Sequence, residues 1–380
     1  MVEYRRTTTN YIGETSRGAP NGVWWDPHTQ IANNQPPASV ITGSPGFGKT
    51  FLSETLACHS AIMGKTTTIL DYKGDFLALK NLEDEIGPVN IWSLGGSGKP
   101  GILDPFFMSD KPEEQLKLAY NVIDIFLGGL SDMQSRALSP IIEDVIKDVN
   151  HTPSLAKVVD ELRGSRREDA RGMGATLNLI KKMPSSKVCF YQGKKRPKVA
   201  SLDGGVTVAT LLGLQLPADQ EEARETREGR LASGILYLLT DFIRRVMSEQ
   251  GDRPKTLIID EAWSILSTPA GARTIKDIAL LGRSKKLALI LATQNYSHLD
   301  NVDIDNTIAT HFAFNAEHAV ANNVIDKIGL DSTEGFQDLV SKLDNGECLM
   351  RDWEKNYSTI NVSDWRKDWA IAFKTNPFDS

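Results

Sequence analysis

The sequence predicts an α/β fold, a mostly parallel sheet with helices on both faces, interrupted by an inserted all-α subdomain. Three observations carry that prediction. Short runs of β-branched and aliphatic residues alternate with amphipathic segments along most of the chain, the pattern of strand–helix–strand units. One such run, Ala38 to Thr42, leads into a glycine-rich loop that continues as a helix. Between about Pro112 and Met183 the strand signals stop and only helical periodicity remains.

Residues 1–37, rich in Thr, Asn, Gly and Pro, form a lead-in with one short strand at Val23–Asp26 and a turn at Pro27. The first part of the α/β core spans 38–110. Within it Lys49 to Met63 reads as a helix, with Leu52, Leu56 and Ala57 at helical spacing and Gly64 as its stop. Thr66 to Leu70, ending at Asp71, and Val89–Trp92 read as strands. The all-α insertion occupies 111–185. Its first helix sets Leu116, Tyr120, Ile123 and Leu127 on one face. The second opens with Ser131 and Gln134 in capping-box spacing and buries Leu138, Ile141, Val145 and Val149. Leu155, Val158, Val159 and Leu162 mark a third, and Ala170, Met173, Leu177 and Ile180 a fourth. The second part of the core, 186–380, returns to strands at Val206–Thr210, Thr256–Asp260, Leu287–Ala292 and His311–Asn315, with an amphipathic helix over Leu231–Met247. A hairpin closes it: Glu347–Met350, a turn near Glu354-Lys355-Asn356, then Ser358–Val362.

Composition narrows the function classes. A chain of 380 residues with 40% hydrophobic and 24% charged residues is ordinary for a globular protein. Its net charge of −6 gives no global attraction to nucleic acid, so DNA contact needs a local basic surface. Lys194-Lys195-Arg196-Pro197-Lys198 and the stretch Arg163 to Arg171 are the candidates, although in an acidic chain both read first as solvated loops. Glu221 to Arg230 alternates in sign and reads as an exposed helix with internal ion pairs. Cys58, Cys189 and Cys348 are scattered, which suggests neither a disulfide framework nor a zinc site. No apolar run is long enough to span a bilayer, and the start Met1 to Arg6 is followed by no apolar signal region. The expectation is a cytoplasmic protein with no integral membrane segment, free to dock peripherally at the inner face of a membrane.

Chemistry concentrates in the loop Gly43-Ser44-Pro45-Gly46-Phe47-Gly48-Lys49-Thr50, which fits G-x-x-x-x-G-K-[ST] in full, with Phe51 directly behind it. Glycines let successive N–H groups point at phosphates, and the helix N-terminus that follows favours negative charge. The pattern therefore calls for ATP, with Lys49 on the β- and γ-phosphates and the Thr50 hydroxyl on Mg²⁺. Thr256-Leu257-Ile258-Ile259-Asp260-Glu261 supplies a buried strand ending in two carboxylates. Asp260 is expected in the Mg²⁺ shell, and Glu261 is expected to orient and deprotonate the attacking water. Such an acidic pair is common by chance and takes its weight from the P-loop. A third strand ends in Ala292-Thr293-Gln294, where Gln294 can sense the γ-phosphate. Just upstream, Arg283 in Gly282-Arg283-Ser284-Lys285-Lys286 is either a solvated turn residue or a group that reaches a neighbouring subunit's nucleotide. Asp71 and Asp75 are candidates for tuning Mg²⁺, with Asp75 equally a helix cap.

Together these pieces resemble the RecA-like motor domain of the FtsK/HerA ATPase superfamily, and within it the conjugal-transfer ATPases of type IV secretion systems. The resemblance runs from about Gly22 to Val362. It rests on Val23–Asp26 before the P-loop, on Ile69-Leu70-Asp71-Tyr72-Lys73-Gly74-Asp75-Phe76, and on Leu103-Asp104-Pro105-Phe106. Ile258-Ile259-Asp260-Glu261-Ala262-Trp263, the Arg283 to Gln294 segment and Asn345-Gly346-Glu347-Cys348-Leu349 complete it. It implies a hexameric or otherwise oligomeric ATPase with Arg283 acting in trans, working with type IV secretion channel and coupling proteins. A DNA translocase or coupling protein of the FtsK/HerA type uses the same core and is the alternative, with DNA as a candidate partner. The chain departs from the family in two places. Family members usually carry a sizeable N-terminal domain, where here 1–37 precede the core, and they commonly have Asn-Pro in place of Asp104-Pro105.

Overall fold

The aliphatic runs assemble into one sheet. The computed structural model describes residues 10–96, 98–193, 205–217, 220–249, 253–266, 269–330 and 335–363, together with 369 and 373. Its strands are β1 (Tyr11–Thr15), β2 (Gly22–Trp24), β3 (Ala38–Thr42), β4 (Thr66–Asp71), β5 (Val89–Ser93) and β6 (Val206–Thr210). They continue with β7 (Lys255–Ile259), β8 (Leu287–Thr293), β9 (Ile308–Phe314), β10 (Glu347–Arg351) and β11 (Tyr357–Val362). Their order across the sheet is β2-β1-β11-β10-β9-β3-β8-β7-β4-β6-β5.

From β9 to β5 all neighbours run parallel. Every residue of β3, β4, β6, β7 and β8 is buried, as expected for parallel strands covered on both faces. The remaining strands, β10, β11, β1 and β2, add an antiparallel flank. The mostly parallel sheet expected from the sequence is therefore present, extended by a flank that recruits the lead-in. There Tyr11–Thr15 pairs with the closing hairpin, a strand the sequence reading missed because Gly13 interrupts its apolar alternation. Pro27, expected at a turn, instead opens the helix Pro27–Ala32. Asp26 caps it by accepting from the His28 N–H at 2.9 Å, and proline suits the first helical position because its missing N–H has no intrahelical partner there.

The parallel register decides where chemistry can sit. Thr42 lies opposite Thr293 and Ala313, and Ile259 opposite Leu291 and Leu70. The carboxyl ends of β3, β8, β7 and β4 thus form one edge, where ligands of open α/β sheets bind.

The segment between β5 and β6 carries four long helices, Pro112–Leu127, Asp132–Lys147, Leu155–Gly164 and Glu168–Lys181. The Ser131–Gln134 capping box forms reciprocally, and the apolar faces expected for the third and fourth helices are buried. Two faces differ from expectation. In the first helix the buried set is Leu118, Ala119, Val122, Ile123 and Phe126, while Leu116, Tyr120 and Leu127 are only partly covered. The reason is tertiary: the neighbouring long helix Arg227–Glu249 packs so closely that a side chain at Gly234 would meet the Phe126 ring at 2.2 Å. In the second, Ile142 replaces Ile141 in the core, and Val149 is 95% exposed because the helix has already ended at Lys147. The charged stretch Glu221 to Arg230 is two helices, Gln220–Glu225 and Arg227–Glu249, rather than one. The basic run Lys194 to Lys198 lies outside the described residues.

Asp104 ties these helices to the sheet. It is fully buried and caps a short helix through the Phe106 N–H at 3.3 Å. It also accepts from the Leu155 N–H at 3.1 Å and the Tyr191 N–H at 3.0 Å, where the chain enters the third helix and leaves the insertion. A carboxyl has acceptor capacity for three donors, whereas an asparagine offers a single oxygen. Burial outweighs these N–H bonds and pushes its pKa up to about 8.

Candidate active site

The P-loop leaves β3 at Thr42 and is braced from behind by β9 and the closing hairpin. The Ser44 N–H donates to the Asn315 carbonyl at 2.7 Å, and the Gly346 N–H donates to the Phe47 carbonyl at 3.1 Å. Two glycines are required by this bracing. Gly43 sits at φ +144° with Phe314 so near that a Cβ would lie 2.6 Å from that ring's own Cβ. Gly48, at φ +108°, is the helix N-cap and faces Phe314 and Gly346. The helix Lys49–Ile62 follows with its amino end towards the sheet edge. Lys49 is buried and donates to the Ser44 carbonyl at 2.9 Å, and burial lowers its pKa against the pull of Glu261 and Asp260. Phe51 packs edge-on against Phe373, with ring centroids 5.6 Å apart.

Beyond the end of β7 the backbone splits. The Asp260 N–H bonds the Leu70 carbonyl of β4 at 2.9 Å, and the Ala262 N–H bonds the Ala292 carbonyl of β8 at 2.8 Å. Glu261, caught between, adopts φ +50°, a left-handed conformation costing a non-glycine residue about 1–2 kcal/mol. Its side chain is held by three donors. Lys73 Nζ lies 2.5 Å and Gln294 Nε2 3.0 Å from Oε1, and Trp263 Nε1 lies 3.0 Å from Oε2. Burial acts to raise the pKa of Glu261, but Lys73 and the other donors outweigh it and hold the carboxyl below its usual value. Among the described residues no side-chain donor bonds the Asp260 carboxyl, and Lys73 acts on it only through its charge. Burial, with Glu261, Asp71 and Asp75 nearby, pushes it up to about 7.

Lys49, Thr50, Asp260 and Glu261 line one cleft of about 230 Å³. Gln294 reaches it through Glu261, so its amide orients the carboxylate directly rather than standing free. Asp71 takes the capping role considered for Asp75: it accepts from the N–H groups of Gly74, Asp75 and Phe76 at 2.8, 3.2 and 3.3 Å. Arg283 is not brought to this cleft. It donates to the Asn34 carbonyl at 3.1 Å before the start of β8, whereas Gln294 follows the other end. Seven extended residues put about 20 Å between those ends.

Lys73 and Glu54, both in the cleft wall, have no role among the sequence expectations. Lys73 follows β4 in a polar turn whose spacing singles out no position. Glu54 lies four residues after Thr50, hence on the same helix face, a spacing that is the one sequence signal for its place in the cleft wall. It is fully buried, both carboxyl oxygens lack a hydrogen-bond partner among the described residues, and burial with Asp75, Asp71 and Asp260 nearby pushes its pKa to about 10.

The family model described as an AAA-like domain matches residues 24–373, nearly the whole of the fold just described. The chain belongs to the AAA-like domain family. Among solved structures, this AAA-like domain is similar to VirB4 of Thermoanaerobacter pseudethanolicus, with a TM-score of 0.70 at 16% identity over 93% of this chain and 96% of that one. It is also similar to the bacterial conjugative coupling protein TrwBΔN70, with a TM-score of 0.57 at 13% identity, again covering 93% and 96%. The fold is thus the RecA-like P-loop core expected from the sequence. A curated relative, the uncharacterized protein YddE of Bacillus subtilis (strain 168), is 21% identical over 92% of this chain. The chain spans 44% of that relative's length. Among the described residues no helix is long and apolar enough to cross a membrane.

The residues fit a magnesium–nucleotide. The loop offers N–H groups and a lysine to phosphates, and on the other side crowded carboxyls, with the Glu54 oxygens unpartnered among the described residues, call for a cation. Among the described residues no three His, Cys, Asp or Glu side chains group to hold a metal by themselves. Mg²⁺ is usually bound through one or two protein oxygens plus substrate phosphates and retains waters, and Thr50 with Asp260 offers that number of oxygens in this cleft.

Proposed function

We propose that this AAA-like domain hydrolyses ATP and acts as the motor of a type IV secretion or conjugation apparatus, energising substrate transfer or channel assembly. The observation that carries the hydrolytic reading is Glu261. A carboxylate held by Lys73, Gln294 and Trp263 across the cleft from Lys49 and Thr50 is positioned to orient a water towards a γ-phosphate. Lys49 and the loop N–H groups hold the phosphates, while Thr50 and Asp260 hold Mg²⁺. When bound, that ion neutralises charge on the phosphate oxygens. Gln294, bonded to the base, couples the state of the γ-phosphate to the position of Glu261.

Arg283 lies at the far edge of the sheet from its own P-loop, so its catalytic reading requires a neighbouring subunit. With Arg283 acting in trans, the motor is an oligomer whose sites are completed at subunit interfaces. The closer fold likeness to VirB4 than to the coupling protein TrwB favours a secretion motor over a DNA translocase, and a cytoplasmic location with peripheral membrane docking follows from that reading. The test compares ATP turnover and nucleotide affinity of the wild type and Glu261→Gln. Turnover should fall by about two orders of magnitude or more with affinity kept within a few-fold. Equal turnover would remove Glu261 as the base. DNA-stimulated turnover with steep salt dependence would instead favour the translocase.

A further inference from the structure

Glu54 is buried in the cleft wall, four residues beyond Thr50 on the same helix face. A carboxyl that is fully buried with neither oxygen hydrogen-bonded among the described residues demands an explanation, because native interiors pair almost all such groups. The surrounding donors are engaged elsewhere. Lys49 turns to the Ser44 carbonyl, Lys73 is bonded to Glu261, and the N–H groups of the turn after β4 serve Asp71. The cleft that Glu54 lines is the route by which a donor from outside the chain can reach it.

We propose that Glu54 is a positioning residue for the hydration shell of the nucleotide-bound Mg²⁺: its carboxyl oxygens accept hydrogen bonds from the ion's water ligands. The inference rests on the nucleotide-site reading above and extends it to a residue outside the P-loop pattern. Mg²⁺ sheds its waters reluctantly, so a site built from one hydroxyl, one carboxylate and phosphates leaves several waters that need acceptors. Glu54 supplies acceptors on the wall adjoining Thr50, and outer partners of this kind orient the inner ligands.

The experiment uses the full chain with Glu54→Met and Glu54→Gln. Mg²⁺ is titrated at a fixed concentration of a fluorescent, non-hydrolysable ATP analogue, and analogue affinity is measured separately in EDTA. Glu54→Met should raise the Mg²⁺ concentration for half-maximal binding about tenfold or more, with the metal-free affinity unchanged. Glu54→Gln keeps one acceptor oxygen and should show a smaller increase. Ligand-free Glu54→Met should melt no lower than the wild type, since an unpaired buried carboxyl has been removed. Where Glu54→Met does not fold, Glu54→Ala is read in the same way. An unchanged Mg²⁺ requirement would overturn the proposal and leave Glu54 to an ordinary buried water. Equal losses with and without Mg²⁺ would also overturn it, as a packing effect. If the wild type itself binds the analogue with no dependence on Mg²⁺, the nucleotide-site reading fails instead.

Discussion

Replacing Lys73 with methionine removes the charged donor from Glu261 while keeping most of the aliphatic stem. An opposite charge within hydrogen-bonding distance depresses a carboxyl pKa by about 1–3 units. The Lys73 side chain is 45% exposed and solvent screens it, so its pull on Glu261 belongs at the weaker end of that range. The sign follows from the depressed pKa of Glu261. The carboxylate contributes stability above its unfolded pKa, and this is lost as pH falls through the lower folded value. Lys73→Met shrinks that contribution, so the variant should be less stable than the wild type near pH 7 and the gap should close below about pH 4. In turnover, the acidic limb of kcat/KM against pH should move to higher pH, because that limb reports the free enzyme's base. Stopped assays of phosphate release from about pH 3 to about pH 8, a range that reaches below the ordinary carboxyl value, would measure it. An acidic limb that stays in place, in a protein where Glu261→Gln is inactive, would refute the idea that Lys73 tunes the base.

Three further outcomes are expected. Asp104→Asn loses acceptor capacity for the N–H groups of Phe106, Leu155 and Tyr191. Because burial lifts the Asp104 pKa to about 8, its protonated form favours the fold, and wild-type stability drains away as pH rises from about 4 to 8. Chemical denaturation should therefore show the wild type losing stability relative to Asp104→Asn over that range, by on the order of 1 kcal/mol per pH unit, and parallel curves would refute it. Mixing Arg283→Ala with Lys49→Ala subunits should recover up to about a quarter of wild-type turnover, the share of correctly paired interfaces under random mixing. No recovery in demonstrably mixed oligomers would exclude action in trans. Phe126→Ala should destabilise the contact with the Arg227–Glu249 helix by about 3–5 kcal/mol, and a loss under 1 kcal/mol would mean the helices repack freely.

Local signals made the parallel half of the fold legible. The runs at Ala38–Thr42, Thr66–Asp71 and Leu287–Thr293 are buried on both faces, so their composition alone reads as strand. The Ser131 capping box and the third and fourth inserted helices were equally plain, because caps and apolar stripes are short-range patterns. Strand β1 was not, since pairing with β11 rather than its own composition makes it a strand. Nor was the buried face of Pro112–Leu127, which is selected by a helix more than 100 residues further along the chain.

The candidate site divides in the same way. The sequence by itself determined the Gly43–Thr50 loop, since a phosphate cradle is a local backbone shape that glycine spacing encodes. It also marked Asp260, Glu261 and Gln294 as strand-end polar residues. Only the tertiary structure decided how they work together. Parallel register brings β3, β4, β7 and β8 to one edge, so that Glu261 meets Lys73, 188 positions earlier in the chain, and Gln294, 33 positions later. The same register carries Arg283 to the opposite edge, away from its own cleft, and burial leaves Glu54 without a hydrogen-bond partner among the described residues. Contacts and desolvation are properties of elements packed together, and no local pattern encodes them.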